Sequence, residues 1–366
     1  MKYVLQVNTG SFHRSTLSAK EIEERIEKCA DILDVDKVIF GWADDPVLNE
    51  EICTYLKTKN IESWLWLPVF SEIYESSPEY PCVGIGGQGT SGVNQTYEGE
   101  KFEFGCPQNE ANLERVKEVY KRLTSRCHPD GIFLDRIRYG SAANSPSALY
   151  GCWCPVCKER YIKAGIHVET IRKMAQKNVL PFPSSFKEDG YHYIPEDLDL
   201  LMKEKEKIIS EDVLMLAKYF RTKGHMVGID VFSPVLAPLV AQDLSELGRT
   251  CDFIKPMLYL RTNAPAGIPF ELNALEDNAA QRFSSLWNVD VLSIEGTAAQ
   301  IEKLNEDGIH VIPGVDVNEV PGICDSSPDY AKAMLKKLKE SGCTSAVLSW
   351  DAMKISDEML KAVSEI

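Results

Sequence analysis

The chain has little of what would mark several common functions. No run approaches transmembrane length, and the first apolar stretch, Tyr3 to Val7, is far shorter than a secretory h-region and passes straight into Asn8 and Thr9. Neither a membrane span nor an export signal is expected, and the cytoplasm is the expected compartment. Positive charge is in deficit: 40 Lys and Arg face 55 Asp and Glu, a formal net charge of −15 that repels phosphate backbones and anionic lipid surfaces. Nucleic acid and membrane partners are therefore not expected. The sequence has no G-x-x-x-x-G-K-[ST] phosphate loop, no H-E-x-x-H pair and no G-x-S-x-G elbow. Its six histidines are dispersed, and His128, His225 and His310 stand just before apolar runs, the stability end of a barrel strand. The run Gly84-Ile-Gly-Gly-Gln-Gly89 follows no strand directly and opens no helix. It lacks the context of a dinucleotide fingerprint and reads as a mobile active-site loop.

What is present is a core-forming chain of 366 residues, 44% hydrophobic, in the size range of one α/β barrel with insertions. Short apolar runs alternate with amphipathic helical stretches, the pattern of βα units around a parallel sheet. Strands are expected at Tyr3–Val7, Lys37–Trp42, Ser63–Phe70, Gly131–Tyr139, Met226–Phe232, Asp252–Tyr259, His310–Asp316 and Ser345–Trp350. Ser18 with Glu21 makes a capping box for the first helix. A ninth apolar run, Val289–Ile294, is assigned to the connection after strand six, because the last strand and the helix Asp357–Glu365 then supply the eighth βα unit. The expectation is a single (β/α)8 domain over 1–366, with a long insertion after strand four, residues 140–195, forming a subdomain or cap.

In such barrels the active site forms at the carboxyl ends of the strands, so polar residues ending apolar strands are the informative ones. Asp135, Asp230, Asp316 and Asp351 stand at such ends, and Lys255 and Tyr259 share one face of strand six. Each aspartate alone reads more readily as a turn or helix cap. Together they read as an acid/base pair for glycosidic-bond cleavage, which needs one carboxyl to protonate the leaving oxygen and another to attack or activate water. Asp135 leads because Arg136 and Arg138 flank it in a strand suited to burial, where an unpaired charge costs several kcal/mol. Trp42, Trp64, Trp66, Phe70 and Trp350 add aromatic surfaces of the kind that stack on sugar faces, though packing accounts for about half of them. Lys255, Tyr259 and Arg138 are expected to orient sugar hydroxyls or a substrate carboxylate, with Trp42, Trp66, Trp350 and Asp351 completing the binding set. The catalytic candidates are Asp135 with Asp230 or Asp316.

Eleven cysteines are an odd number for a disulfide framework and suit reduced thiols with some metal ligation. Cys152, Cys154 and Cys157 have a C-x-C-x-x-C spacing that turns three thiolates toward one ion, and zinc wants a fourth ligand. Cys106 is the expected fourth, with Cys82, Cys127 and His128 as alternatives. Four protein ligands leave no open position, so the zinc would be structural. Cys29, Cys53, Cys251 and Cys343 read as core residues.

Pro129-Asp-Gly-Ile-Phe-Leu-Asp135-Arg-Ile-Arg-Tyr139 resembles the strand-four segment of the glycosyl-hydrolase-like barrel families, where the second Asp belongs to the active site. Phe253–Tyr259 and Val311–Asp316 look like their strands six and seven. Cys106-Pro107 with Cys152, Cys154 and Cys157 is similar to the four-cysteine zinc site of the family 42 β-galactosidases, also in the loop after strand four. The resemblance implies a sugar-binding barrel with a carboxylate pair. Family 42 enzymes place an Asn-Glu acid on strand four and a Glu nucleophile on strand seven, where this chain has Asp135 and Asp316, so their substrate does not carry over. The expected activity is hydrolysis of O-glycosidic bonds in a small or partly degraded glycan. The rival expectation is a carbohydrate-binding barrel without catalysis.

Overall fold

The computed structural model describes residues 1–11, 14–15, 17–71, 78–88 and 103–366. Eight parallel strands close into a barrel: β1 (Lys2–Asn8), β2 (Val35–Gly41), β3 (Glu62–Pro68), β4 (Gly131–Asp135), β5 (Met226–Phe232), β6 (Phe253–Met257), β7 (Gly314–Asp316) and β8 (Ser345–Ser349). Each pairs with its sequence neighbours, and β8 returns to β1 with Lys2 beside Ser345 and Leu5 beside Leu348. This is the expected (β/α)8 barrel.

Alternation along the strands sorts the side chains into two cores. On β1, Tyr3, Leu5 and Val7 pack outward against the helices, while Val4 joins Ile39, Trp64, Trp66, Phe133, Phe253, Ile312 and Val347 inside the barrel. The large interior rings fit because their neighbours are small. A Cβ on Gly131 would lie 2.2 Å from the Trp64 ring, and one on Gly228 2.6 Å from Phe253.

The strands that fall furthest short of their expected bounds are β4 and β7. β4 stops at Asp135 and not Tyr139, because Arg136 takes a left-handed conformation, φ 52°, that breaks the strand. β7 is only Gly314–Asp316, since the segment before it touches β6 at a single bridge, Val311 to Ile254, and Pro313 has no N–H for the ladder. Val289–Ile294 forms no strand: Asn288 turns left-handed after the helix Ala279–Trp287, and Ser293 caps the helix Ile294–Glu306. The assignment of that run to the connection after β6 therefore holds. The Ser18–Glu21 capping box is formed on the helix Ala19–Ala30.

Between β4 and the long helix Glu196–Arg221 the chain forms a short turn of helix, Pro146–Tyr150, two helices, Pro155–Lys163 and Val168–Gln176, and a hairpin pairing Ser185–Lys187 with Gly190–His192. The fully buried Lys205 of the long helix donates to the Leu149 carbonyl at 2.6 Å, and Tyr191 of the hairpin donates to the Val235 carbonyl at 3.0 Å. These bonds tie the excursion to the barrel. Among the described residues no helix is long and apolar enough to cross a membrane.

Candidate active site

Strand register builds the site. β4 and β5 run in step, Ile132 beside Val227 and Leu134 beside Ile229, so the next residues, Asp135 and Asp230, stand side by side. β5 and β6 pair Asp230 with Lys255. The three form one lateral row at the carboxyl end of the barrel, with neighbouring strands about 4.8 Å apart.

The two carboxyl groups have different surroundings. Both oxygens of Asp135 accept N–H bonds, Oδ2 from Trp66 Nε1 at 2.9 Å and Oδ1 from the Arg136 backbone at 2.6 Å. Asp230 Oδ2 accepts from Lys255 Nζ at 2.9 Å, and Lys255 also donates to the Tyr259 hydroxyl at 2.7 Å. Asp230 Oδ1 is buried without a hydrogen-bond partner. Burial lifts the Asp230 carboxyl to about 7, with the neighbouring Asp135 pushing the same way and Lys255 pulling it down. A carboxylic acid that keeps its proton near neutrality can act as a general acid.

A cavity opens over this row. Asp135, Asp230, Arg136, Arg138, Trp42, Trp66, Tyr259 and Trp350 line it, together with Gln6, Asn8, Met257 and the loop residues Thr262, Ala264–Ala266 and Ile323. Trp42 and Trp66 meet edge to face at 5.4 Å, and the Arg136 guanidinium lies 4.7 Å from the Trp42 ring. Trp42, φ 76°, and Arg136 are non-glycine residues held left-handed on the cavity wall, a strain that clusters at functional sites. Burial pulls Arg138 down to about 10, so it stays charged at neutral pH.

The remaining sequence candidates lie elsewhere. Lys255 is fully buried beneath the cavity and reaches it only through Asp230 and Tyr259. Asp316 does not reach the cavity lining: Oδ2 accepts from the Arg261 backbone at 2.7 Å and Thr262 at 3.0 Å, and Oδ1 from Tyr330 at 2.9 Å. It anchors the loop after β6. Asp351 caps the short helical turn Ala352–Lys354, accepting from Met353 at 3.1 Å and from the Asn8 backbone at 3.3 Å. Trp64 sits in the barrel floor. Gly89 and the rest of the glycine-rich loop to Phe102 lie outside the described residues; Gly84 to Gln88 form a turn. His225 is held by the Pro129 carbonyl and Tyr120 at the opposite end of the strands and stacks on His128.

Sequence reasoning passed over Gln6, Asn8, Glu271 and the loop from Thr262 to Ala266. Gln6 was detectable: it shares inward parity with Val4 in an otherwise apolar strand. Glu271, on the helix Ile268–Leu275, accepts from Ser141 at 3.0 Å, the Ala143 backbone at 3.3 Å and the Ala266 backbone at 3.0 Å, joining the loops after β4 and β6. No sequence signal distinguishes it from a solvated helix glutamate.

Cys106, Cys152, Cys154 and Cys157 converge, their sulfurs all within 4.8 Å of one another, with Cys106 at 3.7 Å from Cys154 and 3.4 Å from Cys157. A tetrahedral ion with Zn–S bonds of about 2.3 Å requires sulfurs about 3.8 Å apart, so the four thiols fit a metal. Cys82 lies beside the cluster, bonded to the Gly105 carbonyl. His128 is engaged by the Lys223 carbonyl, and Cys127 by the Leu123 carbonyl.

No protein-family model matches the sequence, and neither does any curated protein. Solved structures do match in fold. The PgaB (BpsB) glycoside hydrolase domain from Bordetella bronchiseptica aligns over 100% of this chain and 98% of its own, with a TM-score of 0.62 at 13% identity. The fold shared with it is the (β/α)8 barrel. Alpha-L-fucosidase isoenzyme 2 from Paenibacillus thiaminolyticus matches over 100% of this chain and 48% of its own, at 0.58 and 11% identity. A catalytic domain of a Group II chitinase from Ostrinia furnacalis matches over 100% and 96%, at 0.50 and 10%.

Proposed function

We propose that the barrel mouth hydrolyses O-glycosidic bonds of a small or partly degraded glycan. The observation that carries this reading is the adjacency of Asp135 and Asp230 in one cavity, in surroundings that differ. Asp230 donates its proton to the glycosidic oxygen as the C–O bond breaks. Asp135, fixed by Trp66 and the Arg136 N–H, attacks the anomeric carbon or takes the proton of the attacking water. Trp42, Trp66 and Trp350 supply the apolar faces against which a sugar ring stacks, and Tyr259, held by Lys255, orients a hydroxyl. Fold likeness to glycoside hydrolases supports the substrate class, and Asp316 and Asp351 take no part in the chemistry.

The four-cysteine cluster is assigned a structural zinc. With every position filled by thiolate, the ion would brace the loop after β4 against the segment around Cys106 and supply no open coordination site.

The test is release of reducing sugar from a panel of oligosaccharides. Asp135→Asn should lower kcat by at least ~100-fold, the lower range for loss of an acid/base group, with the melting temperature and metal content unchanged. Equal turnover by the variant overturns the assignment. Tight sugar binding with no cleavage by the parent protein identifies a carbohydrate-binding barrel instead.

A further inference from the structure

Arg138 has no role in the chemistry above, yet it is one of the most constrained residues of the cavity. Its guanidinium lies between two rings, 4.5 Å from Phe104 and 4.4 Å from Phe232, which hold its plane fixed. Nη1 donates to the Tyr139 carbonyl at 2.9 Å. Nε and Nη2 have no hydrogen bond among the described residues, although the side chain is only 4% exposed and lines the cavity. The buried acid whose charge acts on it most strongly, Glu271, accepts from Ser141 and two backbone N–H groups and makes no hydrogen bond to it.

A buried guanidinium with idle donors is costly unless something arrives to engage it. Its planar fork matches a carboxylate, which it can grip with two parallel hydrogen bonds. We infer that Arg138 receives the carboxylate of an acidic sugar, so that the substrate of this barrel carries a uronate in the cavity. The inference rests on the cavity being a glycan site, as proposed above. Clamping by Phe104 and Phe232 sets the fork in place before binding, which lowers the ordering cost. The chain's net charge of −15 attracts no anion by itself, so selectivity for an acid must come from the cations of the cavity wall, of which Arg138 has the ring-clamped fork.

Calorimetry on the full chain, with D-glucuronate, D-galacturonate and D-mannuronate each compared with its methyl ester and its neutral hexose, tests the inference. At least one acid should bind about tenfold tighter than both counterparts, the gain of a charge-assisted bidentate pair. Arg138→Lys, which keeps the charge and loses the fork, should bring that ratio close to one. If the variant does not fold, the ratios on the parent protein decide. A panel in which no acid is preferred overturns the inference. Because binding is read without turnover, the two readings fail separately: Asp135-dependent cleavage of neutral glycans with no acid preference sinks only this inference. Acid-selective binding without cleavage sinks only the hydrolase.

Discussion

Asp230 is a carboxyl group caught between two influences, burial that favours its neutral form and a lysine 2.9 Å away that favours its charge. Burial wins, so the group keeps its proton up to about pH 7, and in the proposed reaction, where it is the proton donor, it sets the alkaline side of the pH profile. kcat/KM should therefore fall as pH rises through about 7. Lys255→Met removes the charge that holds the Asp230 value down, so the alkaline limb should move to higher pH when profiles are recorded between about pH 5 and 9. A limb in the same place in both proteins would assign the titration to another group. Asp135 and Asp230 were legible in the sequence because each ends an apolar strand. Asp316 and Asp351 gave the same signal, and their carboxylates hold a loop and a helical turn outside the cavity lining. Strand position tells which end of the barrel a side chain occupies, not which loop folds over it: the partners of Asp316 are Thr262 and Arg261 far upstream and Tyr330 downstream, and none is implied by the residues around it.

At the level of elements, alternation of apolar runs was enough for the order of all eight strands, because burial of both sheet faces leaves a continuous hydrophobic trace. The ends of β4 and β7 were not legible, since they depend on a left-handed Arg136 and on a ladder that skips from Val311 to Gly314. The interior packing makes a sharp prediction for β4. Gly131→Ala would drive a methyl group into the Trp64 ring, and overpacking of this kind should cost about 1–3 kcal/mol, read as a lower denaturant midpoint with an unchanged slope. Three members of the cysteine cluster were legible by spacing alone; Cys106 was the expected fourth, and the fold, which brings it to the other three from before the helix Glu110–Leu123, separates it from the alternatives Cys82, Cys127 and His128. Zinc analysis of the purified chain should find one equivalent, lost in Cys106→Ala. That variant should melt at a lower temperature, because the energy of ion binding is part of the folding energy of this loop. A metal-free parent protein with the same melting temperature would argue for four unligated thiols.

For the molecule as a whole, the buried acids set how stability responds to pH. Burial raises Asp230 to about 7, Asp316 to about 6, and Glu206 and Asp212 to about 8, all above their unfolded values near 4. Between about pH 4 and these values the native state holds protons that the unfolded chain has released, so stability falls as pH rises, by about 1.4 kcal/mol per pH unit for each group fully inside its window. Lys205, lowered to about 7 by burial, acts the other way above neutrality, because there the unfolded chain binds the extra proton. Asp212 isolates the first effect. It lies on the long helix Glu196–Arg221, 4% exposed, with Oδ2 unpartnered, and the neighbouring Glu211 reinforces the upward shift. Asparagine mimics the protonated acid in shape and charge. Asp212→Asn should thus melt close to the parent at pH 5 and above it at pH 8.5, with the gap widening steadily between. Comparing the two proteins at each pH cancels Lys205, the thiolates and every other titrating group, so a constant gap would mean that Asp212 already sits in the native state as a charge.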